Sequence, residues 1–289
     1  MRHIQHPGPA ALHTSVVQVT LTPREVDLRL GLTLLDAMHE AIAASNARSG
    51  VARLHGGRFF PFAYAMPALS RTPEHAVYFS DRFDAAEPVS FEAATVTFGV
   101  RADGRPWLHC HADWRSADGQ RHCGHVLPED AVLIEAPALA EVWALHGAAF
   151  TVVADDETRF SLFKPLPVDD ASPAAPSKQA HALAVRLSPN QDVCGTLEAV
   201  CRAHGRATAT VHGGVGSTVG AVFDDGRVVE PFVTETLVRQ GRIVAGADGQ
   251  PRAEIDVTMV DYLGGQHQGR LARGENPVLV TFELVLAFD

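Results

Sequence analysis

Apolar and polar residues alternate over many short stretches of the chain, a pattern typical of strands with one buried face. The first such stretch runs from Val16 to Leu21 and ends at Thr22 and Pro23. Residues 91–98 and 132–135 have the composition of further strands. The pattern therefore predicts a sheet-rich protein.

Two stretches carry apolar residues at helical spacing instead. The first places Leu34, Leu35, Met38, Ala41 and Ile42 on one face before Gly50. The second places Val193, Leu197, Val200 and Cys201 on one face before Gly205. We expect one helix in each half of the chain.

Two regions lack regular periodicity. Residues 59–83 are aromatic but contain Pro61, Pro67 and Pro73, which predicts a long loop or cover over the sheet. Residues 165–179 are rich in Pro, Ala, Asp and Ser, which predicts a linker.

The second half repeats features of the first. Residues 185–189 (V-R-L-S-P) echo residues 19–23 (V-T-L-T-P), and both halves contain His-Gly-Gly. Residues 247–251 (A-D-G-Q-P) echo residues 102–106 (A-D-G-R-P) at an offset of 145. We interpret the chain as two tandem copies of one α/β (α+β) domain, at 15–164 and 180–289, joined by the linker at 165–179.

Histidines are concentrated between Trp107 and Pro128, which contain four of the fifteen in the chain. Residues alternate on both sides of Ala117-Asp118-Gly119, as in a β-hairpin. A two-residue turn at Asp118-Gly119 would face His111 with Val126. A three-residue loop with glycine in the left-handed conformation would instead face His111 with His125 and place His109 on the same face.

The second register would let three imidazoles bind one ion. Opposed Cβ atoms lie roughly 5 Å apart and diagonal ones roughly 7 Å apart. His109, His111 and His125 are therefore the candidate ligands of a divalent metal, and Zn²⁺ is the ion we expect. Asp113 and Glu135 are candidate bases beside it. The alternative is a histidine-rich strand at a subunit interface, hydrogen-bonded to carboxylates and backbone.

The repeat supplies an internal comparison. At the offset of 145, Glu254, Asp256 and Arg270 take the places of His109, His111 and His125. The second hairpin would thus oppose a carboxylate to a guanidinium and neutralise itself. We expect the particular chemistry of the protein to lie in the first copy, and the second to be structural or regulatory.

Other candidate sites have simpler explanations. Cys110 faces away from the histidines in the chosen register, and Cys194 and Cys201 share a helix face, so we expect buried thiols. The glycines at 213–217 could cradle a phosphate, but no lysine follows, so we expect a close backbone approach.

Composition narrows the functional classes. The net charge is −10, from 24 basic and 34 acidic residues, which disfavours tight duplex binding. No run of eighteen apolar residues occurs, and the N-terminus lacks a signal-peptide core. We expect a cytoplasmic protein without disulfides and without a membrane partner.

Several of these motifs resemble the PPC domain, the plant and prokaryote conserved domain that plants attach to AT-hook motifs. In the first copy they are His109-x-His111, the turn at Asp118-Gly119, and Gly124-His125. In the second they are residues 187–189, 213–217, 269–271 and 276–286. The resemblance covers roughly residues 15–165 and 180–288.

The resemblance implies a mainly antiparallel sheet with one principal packed helix per domain, and a homotrimer. It also implies a metal at the histidine cluster, and it associates the family with DNA. The AT-hook core R-G-R-P is absent, since residues 103–106 read D-G-R-P.

Three functions follow as alternatives: a protein binding a divalent metal and a small ligand at the histidine site, a metal-dependent hydrolase or lyase using that site, and a DNA-associated protein by family analogy alone. The sequence leaves open whether the protein is an enzyme.

Overall fold

Strands account for most of the chain in a computed structural model, which describes residues 1–10, 14–137, 139–169 and 180–288. The first half contains one α-helix, α1 (Leu34–Ala43), between its first two strands. Its strands are β1 (Ser15–Glu25), β2 (Gly50–His55), β3 (Arg58–Phe59), β4 (Ala63–Ala65), β5 (Pro67–Leu69), β6 (Val77–Phe79), β7 (Phe83–Asp84), β8 (Val89–Val100), β9 (Pro106–Arg115), β10 (Arg121–Val126), β11 (Leu133–Glu135), β12 (Leu139–His146), β13 (Ala148–Ala154) and β14 (Ser161–Pro167).

The second half has fewer and longer strands, again with one α-helix, α2 (Val193–Ala203), after the first of them. Its strands are β15 (Ala180–Leu187), β16 (Ala209–Val222), β17 (Val228–Ala245), β18 (Pro251–Asp261), β19 (Gln266–Arg270) and β20 (Val278–Ala287). A sheet-dominated α+β fold was expected from the sequence, and the structure has one.

The long strands form one nearly continuous antiparallel sheet. From one end its order is β10, β9, β8, β2, β12 and β1. There β1 pairs with β15, and the order continues through β20, β16, β17, β18 and β19. The two halves are therefore hydrogen-bonded to each other through their first strands.

Each helix covers one half of the sheet. Thr33 caps α1 by accepting from the backbone N–H of Asp36, and Asp192 caps α2 by accepting from that of Gly195. The apolar residues predicted to face the core are buried in both helices. Because each helix packs on its own half, the protein has two separate cores.

A third apolar cluster joins the two halves. It includes Leu21, Val51 and Phe150 from the first half and Ala184 and Val285 from the second. The backbone at Gly213 comes close to Val51 here, and a Cβ on that glycine would lie 2.9 Å from the Val51 Cβ. The glycines at 213 and 214 thus allow a close backbone approach, as the sequence indicated.

The proline-containing segments differ in detail from expectation. β1 continues through Pro23 to Glu25, because its pairing with β15 ends at Leu21 and Pro23 has a neighbour only in β12. A strand with one neighbour tolerates the missing N–H. The segment 59–83 forms short strands, of which β5 and β6 make a separate two-stranded sheet.

The predicted linker falls mostly outside the described residues. Strand β14 extends to Pro167, and residues 170–179 are not among those described. No helix in the described ranges has both the length and the apolar character needed to cross a bilayer.

Candidate metal centre

The β9–β10 hairpin sets the geometry of the histidine cluster. His125 lies directly opposite His111, and Asp113 opposite Cys123. Gly119 has a φ of 82°, and the Ser116 N–H donates to the Gln120 carbonyl at 3.0 Å, which closes the three-residue loop. This is the register that brings the imidazoles together.

The three imidazoles meet at their ring nitrogens. The Nε2 atoms of His109 and His111 lie 3.1 Å apart, and Nε2 of His111 lies 3.3 Å from Nδ1 of His125. A tetrahedral ion with bonds of about 2.0–2.1 Å holds its ligand atoms roughly 3.3 Å apart. The spacing between these nitrogens therefore fits a single ion of zinc size.

A carboxylate from the second half completes the group. Oε2 of Glu235, on β17, lies 2.5 Å from Nε2 of His111. Ligand atoms of Glu235 and the three histidines all lie within 4.8 Å of one another. The group could hold a metal with three nitrogens and one oxygen.

Hydrogen bonds behind the rings fix which nitrogens face the centre unprotonated. Nδ1 of His111 donates to the Thr236 carbonyl at 2.9 Å, and Nδ1 of His109 donates to Oε2 of Glu283 at 2.8 Å. A neutral imidazole carries one hydrogen, so Nε2 of each ring presents a lone pair to the centre. Such outer hydrogen bonds orient histidine ligands in metal sites.

These lone pairs and the Glu235 carboxylate would repel one another without a cation between them. Water can reach the Glu235 carboxylate but not His111, which is fully buried. A metal ion or a bound proton would satisfy the arrangement. The donor set, three imidazoles and a carboxylate, is one that zinc accepts.

Electrostatics separate the histidines. Burial, with the nearby His109 and His111, holds the pKa of His125 well below its ordinary value. Burial also lowers the pKa of His109, but the Glu283 and Glu235 carboxylates together outweigh burial and raise it overall. His125 is therefore neutral near pH 7 and ready to donate a lone pair, whereas a proton competes for His109.

The two candidate bases lie elsewhere. Asp113 is buried, and its carboxylate accepts from Arg239 at 2.9 and 3.0 Å and from Arg121 at 3.2 Å. Glu135 is exposed on β11, 3.7 Å from Arg58. Neither belongs to the ligand group. Glu235 is the carboxylate that belongs to it.

The hairpin cysteines are not ligands in this geometry. Cys110 is buried in the first-half core and Cys123 packs against Leu237 and Val260. Burial raises the pKa of both thiols, so they stay protonated. His122 stacks on Trp114 on the other face of the hairpin.

The second hairpin has the register expected from the offset. Asp256 lies opposite Arg270, and the two side chains are joined by hydrogen bonds of 3.0 Å. Glu254, at the place of His109, binds Arg242 at 2.6 Å. These carboxylates are neutralised by arginines and form no site with histidines.

The second half, expected to be structural or regulatory, also brings Glu235, Thr236 and Glu283 into contact with the histidines. Comparing the two hairpins could not find these residues, because they lie on β17 and β20. The available signal was a glutamate between apolar neighbours in a strand, as in Phe282-Glu283-Leu284, because buried carboxylates need partners.

The centre lies at the base of a cleft of about 220 Å³. His109, His125, Glu235 and Glu283 line it, while His111 lies beneath. A ligand in the cleft would therefore contact the centre directly. Trp107 also lines the cleft, whereas Phe59 and Phe62 belong to the core.

Comparison with known proteins places this geometry in context. No family model matches the chain, and no curated protein matches it significantly. A plant- and prokaryote-conserved (PPC) protein of Pyrococcus horikoshii is 12% identical with a TM-score of 0.39, and the match covers 55% of this chain and 100% of that one.

Two further solved structures are similar to the same extent. A metal-containing protein of Archaeoglobus fulgidus is 15% identical with a TM-score of 0.38, over 56% of this chain and 99% of that one. A Ralstonia eutropha protein proposed to bind DNA is 16% identical with a TM-score of 0.36, over 50% and 90%.

Proposed function

We propose that this protein binds one divalent metal ion between its two halves and presents that ion to a small molecule in the cleft. His109, His111, His125 and Glu235 would hold the ion. The observation that carries the proposal is the convergence of three imidazole nitrogens and a carboxylate whose outer hydrogen bonds leave lone pairs directed inward.

Zinc is the ion that this donor set favours. Imidazole nitrogen and carboxylate oxygen are ordinary zinc ligands, and nitrogen spacings of 3.1 and 3.3 Å suit a tetrahedral ion. Hard cations such as Mg²⁺ and Ca²⁺ prefer oxygen ligands throughout. Mn²⁺, Fe²⁺ and Co²⁺ are the competitors to include in a binding assay.

The proposal includes two PPC-like copies at 15–164 and 180–289. The order of strands outward from β1 and from β15 supports it, as does the matching register of the two hairpins. All four ligands come from one chain, so assembly is not required to complete the centre. The homotrimer implied by the family resemblance stays a prediction that light scattering can check.

A metal-dependent hydrolase or lyase is the second candidate. Glu235 favours it, because this carboxylate touches the imidazoles and also lines the cleft. A bound divalent ion would polarise a ligand oxygen or lower the pKa of a water. Glu235 would then be placed to take a proton from the substrate side.

Glu235→Gln separates the two candidates. A loss of both metal and ligand binding would fit Glu235 as a ligand. Retained metal with lost turnover across an ester, lactone and amide panel would fit a general base. Retained metal with no turnover even in the wild-type protein would leave a binding protein.

The DNA-associated alternative has little support in this chain. The net charge is −10, and no lysine or arginine is among the residues lining the cleft in the described structure. Backbone recognition of DNA requires clustered cations. A salt titration with random duplex tests it, and measurable affinity only at very low salt would argue for non-specific contact.

Metal analysis is the central experiment. The wild-type protein, expressed with several metals and passed through a desalting column, should retain about one ion per chain. His111→Ala should retain almost none, while His122→Ala, in the same hairpin but on the other face, should retain it fully. Equal and negligible metal in all three proteins would refute the proposal.

A further inference from the structure

The cleft above the centre is built from both halves of the chain. Its first-half walls come from β6, β9 and the turn that precedes β14, and its second-half walls come from β16, β17 and β20. The centre occupies its floor. The character of these walls determines which molecules can reach the ion.

The charges of the cleft all belong to the centre. The histidines and carboxylates that line it are His109, His125, Glu235 and Glu283. No lysine or arginine is among the described lining residues. An anionic ligand would approach two carboxylates and find no guanidinium or ammonium to pair with. The cleft therefore disfavours phosphates and polycarboxylates.

Aromatic rings form one wall. Tyr78 and Phe160 stack with centroids 5.6 Å apart, and Phe79 lies 6.3 Å from Phe160. Phe79 also lies 4.8 Å from the His125 ring, so the wall continues to the metal ligands. Rings at these spacings offer their faces and edges to a flat apolar group.

The remaining wall is mainly aliphatic. Val152, Val233 and Leu279 contribute from different strands of the two halves. The cleft has a volume of about 220 Å³. Roughly seven water molecules fill this volume in the liquid, at roughly 30 Å³ each. It lies below the range of about 300–1,000 Å³ that is typical of drug-sized ligands. A single ring with a short substituent is the size that fits.

We propose that the cleft takes a small, uncharged molecule with a flat apolar body and one oxygen-donor group directed at the centre. This inference rests on the proposed metal site for the donor group and on the walls for the body. The carboxylates and apolar walls favour such a neutral ligand over phosphorylated metabolites and nucleic acid.

Two hydroxamic acids, neutral in solution near pH 7, test the proposal; each releases a proton to the buffer when its hydroxamate oxygens bind zinc, and this step is the same for both. Benzohydroxamic and acetohydroxamic acid share the metal-binding group and differ in the ring. Isothermal titration of the zinc-loaded protein should give the benzo compound roughly tenfold to a hundredfold tighter binding. Phenyl phosphate should bind more weakly than benzohydroxamic acid.

Variants assign the preference to the wall. Phe160→Ala should reduce the ratio between the two hydroxamic acids to within a few fold, while zinc content stays unchanged. Phe83→Ala, an exposed ring outside the cleft, is the matched control and should leave the ratio intact. Equal affinities in the wild-type protein, or tighter binding of phenyl phosphate, would overturn the inference.

Metal analysis before each titration distinguishes the failure of the metal site from the failure of the cleft. If the wild-type protein retains no zinc, the proposed function fails, and the walls are tested on the metal-free protein with benzamide and acetamide. Saturation-transfer NMR should then show contact with benzamide that is lost in Phe160→Ala. No contact with benzamide in the wild-type protein would refute the inference about the cleft.

Discussion

Nε2 of His111 lies 2.5 Å from Oε2 of Glu235, although the two residues belong to opposite halves of the chain. His111 comes from the centre of β9 and Glu235 from β17, and both are almost fully buried. At this distance the pair shares a proton in a hydrogen bond, and a metal ion that took the place of the proton would move the two atoms apart to roughly 3.3 Å. The interface between the halves therefore contains the candidate site.

Glu283→Gln should weaken zinc binding by about ten- to a hundredfold. The carboxylate accepts from His109, is buried and is itself held by the Thr281 hydroxyl at 3.1 Å. The neutral amide of glutamine lacks the negative charge that makes the His109 imidazole a stronger metal ligand. Competition with a zinc-binding dye measures the change.

Glu254→Gln is the matched control, because Glu254 stands at the place of His109 in the second hairpin and binds Arg242. It should leave zinc affinity unchanged. An equal loss in both variants would mean that the effect arises from general destabilisation.

Arg239→Ala should destabilise the fold more than Asp113→Asn. Asp113 is 1% exposed and Arg239 is 36% exposed, so removing the arginine leaves a buried carboxylate short of a partner. We expect a cost of about 2–3 kcal/mol for the arginine and about 1 kcal/mol for the aspartate. Urea denaturation measures both.

Zinc content gives these two variants a second readout. Because Asp113 lies outside the ligand group, both folded variants should retain the ion. Loss of zinc from a well-folded Asp113→Asn variant would mean that Asp113 contributes to the metal centre after all.

Gly213→Ala should cost about 2–4 kcal/mol of stability. Its φ is 70°, and the added Cβ would lie 2.9 Å from Val51 of the other half. Gly249→Ala has the same kind of backbone, with a φ of 73°, but meets nothing within 4 Å, and should cost about 1 kcal/mol. Thermal or urea unfolding compares them. Equal costs would show that the halves do not pack tightly here.

Acidification should destabilise the protein through His212. This ring stacks on Trp143 at 4.1 Å, and burial, aided by Arg53, lowers its pKa to about 4 from 6.5. Below pH 6.5 His212 binds a proton in the unfolded chain, whereas in the folded protein His212 stays neutral down to about pH 4. The stabilising contribution is therefore complete above pH 6.5 and is lost as the pH falls towards 4.

His212→Phe retains a stacked ring and removes this titration. Between pH 7 and pH 4 the wild-type protein should lose about 1–3 kcal/mol more than the variant. Urea denaturation at a series of pH values measures the difference. Parallel pH profiles would show that His212 is not responsible.

Local sequence patterns were sufficient for the helices and for the hairpin. The apolar faces of α1 and α2 follow from spacing alone, because residues three or four apart in a helix lie on the same face. For the β9–β10 hairpin the sequence left two registers, and the structure has the one with a three-residue loop and a left-handed Gly119. The convergence of His109, His111 and His125 was thus one of two predicted outcomes.

The tertiary structure alone decided what faces those histidines. Glu235 and Glu283 reach them because β1 and β15 join the two half-sheets, which then pack face to face. The residues in contact are distant in sequence. In the same tertiary structure Glu135 lies at the surface, and Asp113 forms an ion pair with Arg239. The sequence limited the three imidazoles to two registers, whereas the approach of Glu235, the outer hydrogen bonds and the cleft depend on long-range packing that no local pattern encodes.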